Sequence, residues 1–257
     1  MRRLFPALAV VALLLATAAQ AEPPAKGPDI DAKAAAALAS MCDFLKKQPV
    51  LAFTAEVSQE VVYPSGQTIQ VNRILDMVLK RPDKLYVRIT GDERDRVFVY
   101  DGKTAIRADL DKGVYAVLDA PPTVDGLLTL LAEKYGMVAP LSDFLVSDPC
   151  AALLDNVQVG DDLGEHLAAG KACEHLAFTQ KDVDWQLWIE NGKLPLPRKL
   201  VINDKEKMGW PQYSATLTQF DLHPKLPAGL FTFKPAKDAR QIDFIPPTAK
   251  PIEAEKK

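Results

Sequence analysis

Three histidines and three cysteines are few for 257 residues, and they bound the chemistry this chain can carry. No G-x-S-x-G, H-E-x-x-H or phosphate-loop pattern occurs, so the common serine hydrolase, zinc protease and nucleotide-binding arrangements have no sequence basis. Positive charge is not in excess. The formal net charge is -3, which gives no basic field for nucleic acid. After the first 21 residues, no apolar run approaches the roughly 20 residues a membrane helix needs. No repeat of fixed period is present.

What is there begins with a processing signal. Arg2 and Arg3 precede a short apolar run from Leu4 to Ala16, and Ala19-Gln20-Ala21 is a small-x-small cleavage site. Residues 1–21 therefore read as a signal peptide, with the mature chain starting at Glu22 and destined for the periplasm. Its loss leaves 29 basic against 34 acidic residues, a net charge of -5. Cys42 is the first cysteine and lies far beyond the cleavage site, so the usual lipoprotein signal is missing. Residues 22–30, with Pro23, Pro24 and Pro28, read as a disordered leader. The proline- and charge-rich residues 246–257 read as a disordered tail.

Between them the polarity alternates with a period of two, the mark of half-buried strands. Phe53, Ala55, Val57 and Val61 share one face of a first long strand. Val71, Leu75, Met77 and Leu79 share one face of a second. Pro64-Ser65-Gly66, Asp101-Gly102 and Asn191-Gly192 are turn signals between such runs. Val183, Trp185, Leu187 and Ile189 form one face of a strand, followed through Asn191-Gly192 by Arg198–Ile202. Pro211–Phe220 and a short Leu230–Phe233 complete the strands. The connections are too short for crossover helices, which predicts antiparallel pairing. Helical spacing appears over Ala32–Lys47, from Thr123 to about Tyr135, and again from about Leu141 to Leu154.

The fold class expected is mainly β (α+β). Ten to twelve antiparallel strands would form a strongly curved sheet or open half-barrel, with an N-terminal helix and a helical lid. Residues 31–245 would make one domain, with 123–154 as a helical insertion covering the concave face. The three cysteines permit one disulfide. Cys150–Cys173 is the first pairing to expect, tying a helix end to the central meander. Cys42 could replace either partner, and three buried free thiols fit the sequence as well.

The residues DFLVSDPCAALL (143–154), CEHLAF (173–178), DWQLWIENGKLPLPRKLVI (184–202) and PQYSATLTQF (211–220) carry a resemblance. With them the chain resembles a family of predicted periplasmic proteins of unknown function, similar in fold to the lipoprotein carriers LolA and LolB. The resemblance covers nearly the whole mature chain. It implies a curved sheet around a hydrophobic cavity, closed by a helical lid. It carries over no activity and no residue-by-residue site.

From the residues, the candidate cavity lining is Phe53, Val57, Val71, Arg73, Leu75, Met77, Leu127, Leu131 and Trp185. Arg73 stands in register with Val71 and Leu75, where a guanidinium must find a carboxylate, the rim or an anionic ligand. Trp185 and Trp188 point to opposite faces. His175 shares a strand face with Cys173, but further metal ligands are lacking, so no metal and no cofactor are expected. Asp182, Asp184 and Glu190 cluster near the hairpin without forming an acid/base pair. The function expected is non-enzymatic binding of a hydrophobic ligand: a lipid, an acyl chain or a lipoprotein. The alternative is an interaction module that holds an envelope protein partner and no small molecule.

Overall fold

The computed structural model describes residues 27–245 apart from Glu93, Arg94 and Val138. The proposed signal peptide, most of the leader and the tail from Pro246 lie outside the described residues. So does Arg94.

The long alternating runs form sheet. The first meander runs β2 (Val50–Val62), β3 (Thr68–Lys80), β4 (Lys84–Gly91), β5 (Arg96–Tyr100), β6 (Thr104–Asp109) and β7 (Val114–Asp119). The second runs β8 (Val159–Ala168), β9 (Lys171–Thr179), β10 (Val183–Glu190), β11 (Pro197–Asp204) and β12 (Gln212–Asp221). Two edge strands, β1 (Asp29–Ile30) and β13 (Arg240–Ile242), bring the sheet to 13 strands. The order is β1-β8-β9-β10-β11-β12-β2-β3-β4-β5-β6-β7-β13, so the meanders join where β12 pairs with β2.

The edges of the sheet correct the sequence expectation. The strand count exceeds twelve. The sheet is mixed, because β1 pairs with β8 and β13 with β7 in parallel. Asp29 and Ile30, assigned to the disordered leader, form β1. Leu230–Phe233 is not a strand. The residues beyond it supply β13 instead. In the middle, β8 is one strand with a bulge between Asp162 and Glu165.

The helices form where the sequence supplies caps. Helix α1 (Ala32–Lys46) starts at Asp31, whose side chain accepts from the backbone of Lys33 at 2.7 Å and Ala34 at 3.1 Å. Helix α2 (Val124–Tyr135) is capped by Thr123 and stops at Gly136, which takes the left-handed conformation at φ 58°. After a 3-10 turn at Ser142–Phe144, α3 (Pro149–Leu153) is capped by Asp148 with Pro149 at its first position. Arg81, at the β3–β4 turn, donates through Nη1 to the carbonyls of Leu145 (2.7 Å) and Val146 (2.9 Å). That fastens the segment between the helices to the sheet.

One face of the sheet and the helices enclose a single main core. It includes Leu38, Met41 and Leu45 of α1, Leu127 and Leu131 of α2, and Leu176, Trp185, Leu187 and Leu200 from the second meander. The opposite face carries a small separate cluster of Ala168, Cys173, Trp188 and Val201.

This division corrects the disulfide. The bridge is Cys42–Cys150, joining α1 to α3, and Cys173 is a buried free thiol. Leu176 and Phe178 of β9 face the main core, so Cys173, of opposite parity, faces away. The sheet itself stands between Cys173 and α3.

Candidate functional site

The register of the strands arranges the inner face in transverse rows. Leu51, Leu79, Leu85, Tyr100, Ala105 and Leu118 make the deepest row, and Phe53, Met77, Val87 and Phe98 the next. Helix α2 covers this end with Leu127 and Leu131, and both rows belong to the packed core. Toward the β2–β3 hairpin the rows become Leu217–Ala55–Leu75–Ile89, then Leu187–Leu200–Ala215–Val57–Arg73, then Trp185–Ile202–Tyr213–Gln59–Val71. These last rows open into a cavity of about 980 Å³.

The far wall comes from the segment between α2 and α3 and from α3 itself, with Ala139, Pro140, Asp143, Ala152 and Leu153. The exposed lining is predominantly apolar, with polar side chains such as Gln59, Arg73, Asp143 and Gln180 among it. Arg73 Nη1 donates to Gln59 Oε1 at 2.9 Å, so two polar side chains of neighbouring rows meet on an otherwise apolar wall. Burial pushes the Tyr213 phenol well up, partly countered by Arg73. Burial also raises the Asp143 carboxyl above its ordinary range, with Ser142 pulling the other way.

Of the nine residues named from sequence, Val57, Arg73, Leu75 and Trp185 line this cavity. The other five do not. Phe53 is core and stacks on Phe220 at 5.3 Å, and Met77, Leu127 and Leu131 fill the α2-covered end. Val71, in the row of Tyr213 and Gln59, is off the lining. Gln59, Asp143 and Tyr213 were missed. Gln59 was legible, since it shares the parity of Phe53, Ala55 and Val57. Asp143 was not, because its place depends on how the chain returns between the helices.

The remaining charged candidates do not converge. Asp184 pairs with Lys205 at 2.8 Å, while Glu190 binds Arg198. Arg198 also lies over the Phe220 ring at 5.0 Å, and Lys199 lies over Trp188 at 4.9 Å on the outer face. His175 stacks on Trp188 at 3.8 Å between rings, and its Nδ1 lies 3.1 Å from Nδ1 of His166. Among the described residues no group of three or more His, Cys, Asp or Glu side chains is arranged to hold a metal. Nor is any helix among them long and apolar enough to cross a membrane.

A family described as predicted periplasmic protein (DUF2092) matches residues 34–245. The chain belongs to the DUF2092 family. Its match spans α1 through the end of the described sheet. No relative is found among curated proteins. Solved structures similar to this DUF2092 protein share little sequence with it. An uncharacterized conserved protein from Thermus thermophilus is 13% identical with a TM-score of 0.48, over 80% of this chain and 98% of that one. The lipoprotein LppX of Mycobacterium tuberculosis is 12% identical with a TM-score of 0.40, over 76% and 98%. A LolA superfamily protein from Nitrosomonas europaea is 13% identical with a TM-score of 0.39, over 78% and 97%. At such identities the likeness concerns the fold alone.

Proposed function

We propose that this DUF2092 protein is exported to the periplasm, its signal peptide removed, and that it binds an alkyl ligand there without catalysing a reaction. The ligand is a lipid, a free acyl chain or the acyl chain of a lipoprotein. The observation that carries this reading is the 980 Å³ cavity walled by Val57, Leu75, Trp185, Leu200 and Ile202. Its volume is at the upper end of the range for sites that bury small ligands.

The driving force is removal of methylenes from water, at roughly 0.8 kcal/mol each. About ten buried methylenes would give roughly 8 kcal/mol before the costs of association are subtracted. The deep rows cannot take the chain, because side chains already fill them. The polar groups Arg73, Gln59 and Tyr213 sit on one wall and suit the polar end of an amphiphile.

The test is to purify the protein from cells expressing the full sequence, extract it with organic solvent and analyse the extract by mass spectrometry. A dansyl-labelled undecanoate, added to delipidated protein, should brighten on entering the cavity. Absence of both bound lipid and probe uptake would refute the reading.

A further inference from the structure

The connection between β11 and β12 carries an unusual load for a surface loop. Met208 is 70% exposed and Trp210 is 59% exposed. Across from it, at the end of β2, Val61 is 40% and Tyr63 52% exposed. Val61, Tyr63 and Met208 also line the cavity, so this apolar rim is continuous with the cavity wall. Large apolar side chains scattered singly on a surface need no explanation, but a group of four around an apolar opening does.

The loop is held rather than loose. Trp210 N donates to the Lys207 carbonyl at 3.1 Å, and Gln212 N donates to Glu60 Oε2 at 2.9 Å. At Gly209 an added Cβ would lie 3.4 Å from Val62, so the loop lies close against β2. Trp210 itself has φ 48°, a left-handed conformation that costs a non-glycine residue roughly 1–2 kcal/mol. The fold thus bears a local cost to hold an indole in water.

The charges around the rim are net negative, with two lysines against four carboxylates. Lys207 pairs with Asp204 at 2.7 Å, Lys205 pairs with Asp184 at 2.8 Å, and Glu60 and Glu206 flank them. An anionic polymer or a strongly acidic partner would find no attraction here. Tryptophan and tyrosine favour the boundary between headgroups and acyl chains, and methionine suits the apolar side of it.

We propose that the rim of Val61, Tyr63, Met208 and Trp210 docks on the surface of a lipid bilayer and places the cavity mouth against it. This rests on reading the cavity as an alkyl site. Docking would let a chain pass between bilayer and cavity without exposing its methylenes to water, each worth roughly 0.8 kcal/mol. Because the contact is made by apolar side chains, it is insensitive to salt on a zwitterionic bilayer.

The protein offers its own reporter, since Trp185 and Trp188 are buried and Trp210 is the exposed one of its three tryptophans. The assay uses protein expressed from the full sequence and shown by mass spectrometry to start at Glu22. The apolar run at residues 4–16 is then absent. It is mixed with phosphatidylcholine vesicles, some with brominated acyl chains, and both sedimentation and fluorescence are followed. Docking predicts co-sedimentation, a blue shift and quenching by bromine, unchanged from about 0.05 M to about 0.5 M salt. Trp210→Phe should lose the fluorescence signal and still sediment. The Met208→Ser/Trp210→Ser pair should lower the partition coefficient by about tenfold or more.

Uptake of dansyl-labelled undecanoate from vesicle-free solution separates the two readings. Wild type that takes up the probe but ignores vesicles overturns docking and leaves the cavity reading intact. A double variant that sediments like wild type overturns docking as well. Capture of a protein partner through the rim, without vesicle binding, does the same.

Discussion

His175 shows how a single residue on the outer face couples to stability. Both its ring nitrogens have partners, Nε2 at 3.0 Å from Gln186 Oε1 and Nδ1 at 3.1 Å from His166 Nδ1. Burial lowers its pKa below the ordinary 6.5, and the charges of His166 and Lys199 push the same way, against the Gln186 bond. The unfolded chain therefore takes up protons near pH 6.5 while folded His175 stays neutral. Stability from this residue is complete above pH 6.5 and is lost as pH falls below it. Denaturant midpoints should decline from pH 7.5 toward pH 5. His175→Phe, which keeps an aromatic ring on Trp188, should flatten that decline, and an unchanged slope would show that other groups set it. Parity also made part of the residue scale legible. Trp185 inward, Trp188 outward and Cys173 facing away from α3 all follow from Leu176 and Phe178 facing the core. The disulfide was misjudged because nearness in sequence to the central meander was weighed above that parity.

At the scale of elements, turns and caps were the readable features. Thr123 marks a helix start where the sequence placed it, and the Asp-Gly and Asn-Gly pairs separate the strands they were expected to separate. The edge strands were not legible. Strands of two and three residues have no periodicity of their own, and β1 and β13 exist only because β8 and β7 offer an edge. The Cys42–Cys150 bridge ties the first helix to the last of the helical segment across 108 residues. A closed loop of that length restricts the unfolded chain, and losing the bridge should cost roughly 2–5 kcal/mol. The Cys42→Ser/Cys150→Ser variant should show that loss in urea denaturation. Thiol titration gives an independent check: one thiol per chain in denatured, unreduced protein, and three after reduction. Three thiols before reduction would mean the helices are not tethered.

The whole molecule divides one apolar face into a filled end and an open end, and sequence alone could not draw that line. Phe53, Val57, Met77 and Leu75 have the same strand parity, and only the placement of α2 decides which are covered. Substitutions at the two ends should therefore separate stability from binding. Phe53→Ala, in the packed rows, should cost about 3–5 kcal/mol through the void it leaves. Its uptake of dansyl-labelled undecanoate should stay close to wild type wherever the variant is folded. Ile202→Trp acts at the open end, between Trp185 and Tyr213 in the same row. Its ring enters space that no side chain occupies, so overpacking is avoided and stability should change by less than about 1 kcal/mol. Probe uptake should nevertheless fall sharply, because the indole takes the volume an alkyl chain would use. If Ile202→Trp bound the probe as wild type does, the open end would not be the ligand site, and any alkyl binding by this protein would have to be sought elsewhere on the sheet.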